Sequence, residues 1–428
     1  MNSWRSSSLG QLASTFAGGT PSRAVEDYYG GNIPWVKSTE VNQDYITETS
    51  EFLTELGLKN SNCKLAPNDS VLIAMYGATA GQVSKLQIAA ATNQAVLAIV
   101  CGEDLDSAFL YYVLNHNKNK ILYLAQGSGQ PNLSKELIDK TEIVLPNPNQ
   151  QQKIANILST VDNLVEQTQN IIDKYTAVKQ GMMADLFSRG IDLSGTPETN
   201  KNYGQLRPSC EDAPDLYHES ELGWVPKIWE EAPLREQLVN IEQGWSPDCD
   251  SEGATEGWWG VLKTTSVVWE GFDFSANKAL PSELTPKKEY EIKAGDVLMT
   301  RAGPGNRVGV VVHVSNTRNK LLLSDKLYRI IPKERIGKPF LALLLSSELI
   351  QKQINATKTG LAESQSNISQ HIVKKLKVFI PSIREQELIV GRMSAINEKI
   401  DTEKKYLNKL ELEKKGLMQD LLTGKVKV

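Results

Sequence analysis

The sequence predicts an α+β protein: two similar α/β modules joined by two long helices packed as an antiparallel coiled coil, an internal repeat with pseudo-twofold character. Three observations lead there. Residues 150–189 return, near-copied, as residues 385–424, an offset of about 235 positions. Apolar residues recur at matched places in both copies: Ile154, Leu158, Val161, Val165, Ile172, Tyr175, Met182 and Leu186 against Ile389, Met393, Ile396, Ile400, Leu407, Leu410, Leu417 and Leu421. Steps of three and four put each set on one helical stripe, and no proline interrupts either run. About 35 helical residues would span roughly 50 Å at 1.5 Å each, too long for an ordinary core helix, so a coiled-coil partner is expected. The repeat also extends beyond the helices, which divides the chain into residues 1–148 (module), 149–189 (helix), 190–222 (linker), 223–383 (module) and 384–428 (helix).

Taken in order, each module opens on a tryptophan with spaced leucines, Trp4, Leu9 and Leu12 matching Trp229, Leu234 and Leu238. Gly18-Gly19-Thr20-Pro21 then matches Gly244-Trp245-Ser246-Pro247. Short runs such as IPWVKSTEV and WWGVLKTTSVV, rich in β-branched and aromatic residues and bounded by Gly, Pro or Asn, read as strands. A polar turn leads into a strand at Asn68 to Ile73 and again at Gly295 to Met299, and glycines multiply after each. Thr92-Asn93-Gln94-Ala95 is set against Ser324-Asp325-Lys326-Leu327, and helices are expected at Ser107 to Asn115 and Phe340 to Leu349. Ser134 and Ser369 suit helix N-caps, and Pro146 and Pro381 close the last strand of each module. Residues 190–222 are polar enough to read as a linker, partly ordered by docking on the helices.

Composition bounds the function. The 428 residues suffice for two or three domains. No apolar run is long enough to cross a membrane, and the first residues lack a signal-peptide core, so the cytoplasm is expected. Cys63, Cys101, Cys210 and Cys249 are scattered and never form CxxC, as are His116, His218, His313 and His371, so neither metal nor disulfide framework is expected. A net charge of −4 and a pI near 5.8 count against nucleic-acid binding by bulk electrostatics, though not by a concentrated basic surface.

Two duplicated polar sets are the candidates for DNA contact. Lys37, Ser38 and Thr39 with Lys263, Thr264 and Thr265 combine charge with short donors, as phosphate anchoring requires; an edge-strand lysine is the competing explanation. The glycine-rich loops Gly77 to Gly81 and Gly303 to Gly305 allow close backbone approach, with Gln82, Lys85, Arg301 and Arg307 beside them to reach phosphates or base edges. Solvated turns are the alternative. Thr20, Tyr76, Gln130, Asn132, Lys326 and Lys358 are secondary candidates, for which structural roles compete. Where the modules differ, as Met75 against Arg301 and Gln94 against Lys326, base choice is expected to differ.

There is no G-x4-G-K-[ST] for a nucleoside triphosphate. Phe16-Ala17-Gly18-Gly19 lacks the βαβ context of a methyl-donor loop, and Asn147-Pro148-Asn149 is no substitute for a motif that holds a flipped adenine.

The segment Asn132-Leu133-Ser134 through Glu142-Ile143-Val144-Leu145-Pro146 to Gln150-Gln151, its twin from Asn367 to Ile389, and Gly223-Trp224-Val225-Pro226-Lys227-Ile228-Trp229 together resemble the specificity subunit of type I restriction-modification systems, over essentially the whole chain. The resemblance implies two target recognition domains, each binding half of an asymmetric bipartite DNA target, with the helix pair setting the gap. It implies no catalysis in this chain. Two modification subunits would bring S-adenosylmethionine and methylate adenine at N6, with two restriction subunits as optional further members; ATP and magnesium would also sit on partner subunits. Half-sites one helical turn apart lie about 34 Å apart, which such a rod can bridge. The alternatives are a coiled-coil scaffold with protein-binding modules and a stand-alone DNA methyltransferase. The first leaves the paired lysine-hydroxyl sets unexplained; the second lacks donor and target motifs.

Overall fold

The computed structural model describes residues 4–124, 132–362, 365–426 and 428. They form two compact units, Met1–Ile171 with Glu403–Val428, and Ile172–Thr402. The division falls inside both long helices, so each helix contributes to both units.

The units repeat one topology. In the first, strands Ala13–Ala17, Val96–Cys101, Val71–Ala74, Val83–Leu86 and Tyr45–Ile46 lie side by side in that order; in the second, Leu238–Gln243, Leu327–Pro332, Val297–Thr300 and Val311–His313 do the same. A smaller sheet in each contains a parallel pair, Trp35 beside Ala91 and Val261 beside Leu322. The opening strand pairs with the closing one in both: Arg5–Ser8 with Glu142–Leu145, and Glu230–Pro233 with Lys377–Ile380.

Equivalent ladders fix the internal alignment. Ala74 pairs with Val96 and Thr300 with Leu327. The Met75 N–H donates to the Ala95 carbonyl and that of Arg301 to the Lys326 carbonyl, at 2.8 and 2.9 Å. Met75 therefore does correspond to Arg301, but Lys326 stands opposite Ala95, and Gln94 opposite Asp325. This corrects the sequence alignment by one residue.

Gly18 and Gly244 are tied to this register. A Cβ on either would lie 2.0 Å from the Thr92 carbonyl oxygen or 1.9 Å from that of Leu323, the equivalent residue. Only a residue without Cβ lets the strands approach so closely.

The first long helix spans Pro148–Ser188 and the second Ile383–Leu421. Asn147 caps the first through its side-chain oxygen, which accepts the Gln150 N–H at 3.0 Å, with Pro148 at the first helical position; Ser382 caps the second toward Glu385 at 3.3 Å. In the first unit Ile154 and Leu158 share a core with Leu421, partly buried Leu417 packs on it, and Lys414 pairs with Asp162 at 2.7 Å. In the second unit Tyr175 and Met182 pack on the core that holds Ile389, Met393, Ile396 and Ile400, and Ile172 is buried; Leu410, buried too, belongs to the first unit. Early residues of one helix thus meet late residues of the other in each unit, which makes the pair antiparallel. Val161, Val165 and Leu407 are half-buried.

Each helix start holds a buried glutamine. Gln151 accepts from the Asp106 N–H and donates to the carbonyls of Asp104 and Pro146; Gln386 accepts from the Gly337 N–H and donates to those of Arg335 and Pro381. Each satisfies three backbone groups, one of them in a buried bond, and locks the helix to its module.

Three segments differ from the sequence expectations. The helix expected at residues 107–115 continues to Leu124, and that expected at residues 340–349 is two helices, Lys338–Ser346 and Glu348–Thr357, broken at Ser347. Ser347 is extended and its hydroxyl donates to the Leu344 carbonyl at 2.6 Å. The linker contributes a strand, Tyr217–Ser220, that pairs with Gly223–Pro226 at the start of the second module. Arg207 anchors it to Glu385 by two hydrogen bonds of 2.6 and 2.9 Å.

Candidate nucleic-acid interface

In the first unit the strand Tyr29–Val36 delivers Lys37 to a short turn, Ser38–Glu40. The Lys37 ammonium lies 2.9 Å from Glu51, and Arg23 reaches the same carboxylate at 2.8 Å. The hydrogen bonds from Arg23 and then Lys37 hold the Glu51 carboxyl below the usual carboxylate range. One anion faces two cations, so a positive charge remains over. Arg23 also lies 4.3 Å from the centre of the Tyr29 ring and 5.1 Å from that of Trp35, which fixes its guanidinium. Sequence reasoning missed Arg23, which carries no motif and is not duplicated. Ser38 is half-buried and Thr39 exposed.

The second unit repeats the turn with different wiring. Lys263 precedes a turn at Thr264–Ser266 and donates to the Ser251 carbonyl at 3.0 Å; no carboxylate pairs with it among the described residues. Thr264 is half-buried and Thr265 exposed.

The glycine-rich loops are hairpin turns at matched places. Gly81 donates to the Ala74 carbonyl and Gly309 to that of Thr300, both at 2.8 Å. Their φ values are +76° and +94°. The twin of Gly81 is therefore Gly309, beyond the Gly303 to Gly305 segment that the sequence singled out. Tyr76 is exposed beside this turn, and the Gln82 carbonyl accepts the Ala74 N–H at 2.9 Å, closing it. Thr20 contacts Gln94, and the equivalent Ser246 hydroxyl accepts the Asp325 N–H at 3.2 Å. Thr20, Tyr76 and Gln94 thus gather at one end of the first unit's sheet, and Ser246, Arg301, Asp325 and Lys326 at the same end of the second.

Arg301 is half-buried over the Tyr328 ring, 5.6 Å from its centre, and donates to the Asp325 carbonyl at 3.0 Å. Lys326 is exposed, 3.6 Å from Asp325. Lys358 donates to the Gly305 carbonyl at 2.9 Å, staying the loop, and burial pulls its ammonium below the ordinary lysine range. Arg307 is half-buried in the same loop, where its N–H donates to the Pro304 carbonyl. Asn132 is exposed, and Leu133 beside it donates to the Met75 carbonyl at 2.7 Å, as Ile368 does to that of Arg301 at 2.9 Å. Gln130 lies outside the described residues. Lys85 does not join the group. It pairs in register with Val71, at the far end of the hairpin from Gly77, and its ammonium is bound 3.0 Å from Asp69.

A family profile for the type I restriction modification DNA specificity domain matches residues 1–176 and 255–412. The chain belongs to this family. It is similar to the specificity subunit of the type I restriction enzyme MjaVIII from Methanocaldococcus jannaschii, 26% identical over 99% of this chain and 93% of that one. It is also similar to the EcoEI specificity subunit from Escherichia coli, 38% identical over 39% of this chain and 28% of that one. Among solved structures, the S subunit of a type I system from M. genitalium superposes with a TM-score of 0.58 at 16% identity, over 98% of this chain and 96% of that one. A chain from a structure of type I system assembly gives 0.54 at 13% identity, over 98% and 97%. These two likenesses establish the fold.

As a type I restriction-modification specificity subunit, the chain has no catalysis of its own. Its modules are target recognition domains. Among the described residues no group of His, Cys, Asp and Glu is placed to hold a metal ion, and no helix is long and apolar enough to cross a membrane. The four cysteines are free.

Proposed function

We propose that this subunit reads a bipartite, asymmetric DNA sequence, one half per recognition domain, with the antiparallel helices setting the gap between halves. It acts in the cytoplasm and recruits two modification subunits, which carry S-adenosylmethionine and methylate adenine at N6. Restriction subunits join the same assembly, and ATP and magnesium belong to the partners. The observation that carries this reading is the duplication itself: two domains of one topology differ in chemistry at the same strand ends, Met75 and Gln94 against Arg301 and Asp325. Equal scaffolds with unequal tips suit two different half-sites. The turns at Lys37 to Thr39 and Lys263 to Thr265 serve phosphate contact, which needs charge and short donors but no base preference. Mapping N6-methyladenine in DNA modified by the assembled complex tests the proposal: a two-part motif with a constant gap is expected, and methylation without such a motif would refute it.

The first long helix suggests where a partner docks. Ile157, Leu164 and Ile171 are spaced by seven and exposed by 37, 37 and 40%, on positions outside the stripe packed in the core. The equivalent positions on the second helix are Arg392, Lys399 and Tyr406. A heptad of exposed apolar side chains fits another helix, and we assign it to a helix of the modification subunit. Leu164→Glu with Ile171→Glu is expected to weaken capture of that subunit at least tenfold in a pull-down while leaving helical circular dichroism unchanged. Undiminished capture would exclude this face.

A further inference from the structure

Five buried side-chain polar atoms of the second recognition domain have no hydrogen-bond partner among the described residues; Gln237 Oε1 stands apart on an earlier turn, and the other four are Thr300 Oγ1, Arg301 Nε, Ser324 Oγ and Asp325 Oδ1. These four belong to two adjacent strand ends, since Thr300 pairs with Leu327 and Arg301 bonds Lys326. Thr300 is 0% and Ser324 3% exposed. Buried polar groups are nearly always paired, so four such atoms on four neighbouring residues point to a partner that arrives from outside.

The first domain holds a different set at these positions. Ala74 and Met75 have no polar side-chain hydrogen-bonding groups, the Asn93 side-chain oxygen accepts the Ala95 N–H at 3.1 Å, and Gln94 contacts Thr20. Only Thr92 Oγ1 is unpartnered nearby among the described residues. The clustering of unpaired polarity on four neighbouring residues is therefore particular to the second domain, the first having one such atom among the described residues.

Its chemistry is a cationic donor beside an anionic acceptor. Arg301 is steadied by the Tyr328 ring and by its bond to the Asp325 carbonyl, and Tyr328 is in turn held by donation to the Ile368 carbonyl at 3.1 Å. In the major groove a guanine offers two acceptors, O6 and N7, and its paired cytosine offers the N4 donor; arginine suits the first and aspartate the second. In the first domain Met75 is packed in the core, while exposed Gln94 suits the opposite case, a paired bond to adenine N6 and N7.

We infer that Arg301 and Asp325 read a G·C base pair in the half-site of the second domain, where Gln94 of the first reads A·T. This rests on the proposal that the domains bind DNA. The two side chains turn outward on binding and exchange unpaired burial for bonds to the base edges. Thr300 and Ser324 line the space they leave.

The assembled complex with Arg301→Met and Asp325→Gln, which installs the first domain's own residues, tests this by mapping methylated motifs. One G·C pair in one half-site is expected to relax or become A·T, with the other half-site and the gap unchanged. Arg301→Lys, which keeps the charge, is expected to lower discrimination for that guanine roughly ten- to hundredfold in competition gel shifts at fixed salt. It also carries the test alone if the double variant does not assemble. Retention of the full wild-type motif and discrimination by variants that still methylate would overturn the assignment, as would changes in the half-site read by the first domain. A wild-type assembly with no two-part motif would instead refute DNA reading as such, so the two failures are distinguishable.

Discussion

Glu385→Ala is expected to remove about 3–5 kcal/mol from the stability of the second unit, because it leaves Arg207 buried and unpaired. The side chains of Arg207 and Glu385 are 5 and 1% exposed. Oε1 of Glu385 accepts from Arg207, from the Ile191 N–H at 2.8 Å and from the Trp229 indole at 3.2 Å. One carboxylate therefore joins the linker, the first turn of the second long helix and the opening tryptophan of the second domain. Removing it strands three donors at once, and the guanidinium cannot be neutralised by losing its proton. Chemical denaturation followed by tryptophan fluorescence, with hydrogen exchange at Ile191 and Trp229, would measure this. A loss below about 1 kcal/mol would show that the pair is dispensable. The equivalent residue in the first unit is Gln150, which donates to the Val428 carbonyl at 3.3 Å. It is neutral and half-buried, so Gln150→Ala is expected to cost about 1 kcal/mol, the worth of an ordinary hydrogen bond.

Gly244→Ala is expected to destabilise the second unit by about 3 kcal/mol, at the upper end for overpacking, because the obstruction is backbone. A Cβ there would lie 1.9 Å from the Leu323 oxygen and 2.3 Å from its carbonyl carbon. A flexible side chain could swing aside; a carbonyl that is part of the fold cannot move without opening the neighbouring bond, where Trp245 donates to that same oxygen at 3.0 Å. Gly18→Ala should do equal damage in the first unit, at 2.0 Å from the Thr92 oxygen. Thermal unfolding of both variants is the measurement, and a midpoint within a degree of wild type for either would show that the strands can separate cheaply.

The helices and the repeat were legible because an apolar period of three and four residues has only one good structural solution. Loop registers were not. Thr92 resembles Ser324 chemically, and that likeness drew the alignment one residue away from the pairing that Ala95 and Lys326 make with Met75 and Arg301. Lys85 looked close to the glycine loop because it follows it, yet a strand advances about 3.3 Å per residue and carries the ammonium to Asp69. Arg23 gave no signal, since its value comes from Glu51, Tyr29 and Trp35, which only the fold brings near it. Gln151 and Gln386 read as ordinary early-helix residues; their three backbone partners each are invisible without coordinates.

The division of the chain bears on its birth at the ribosome. The unit formed by Ile172–Thr402 is one uninterrupted stretch, whereas the other needs Glu403–Val428 to close its core around Leu421 and Leu422. The half translated first is therefore the half finished last. Until residues 403–428 emerge, the core that holds Ile154 and Leu158 lacks Leu421 and Leu422, so its completion waits on a segment more than two hundred residues downstream.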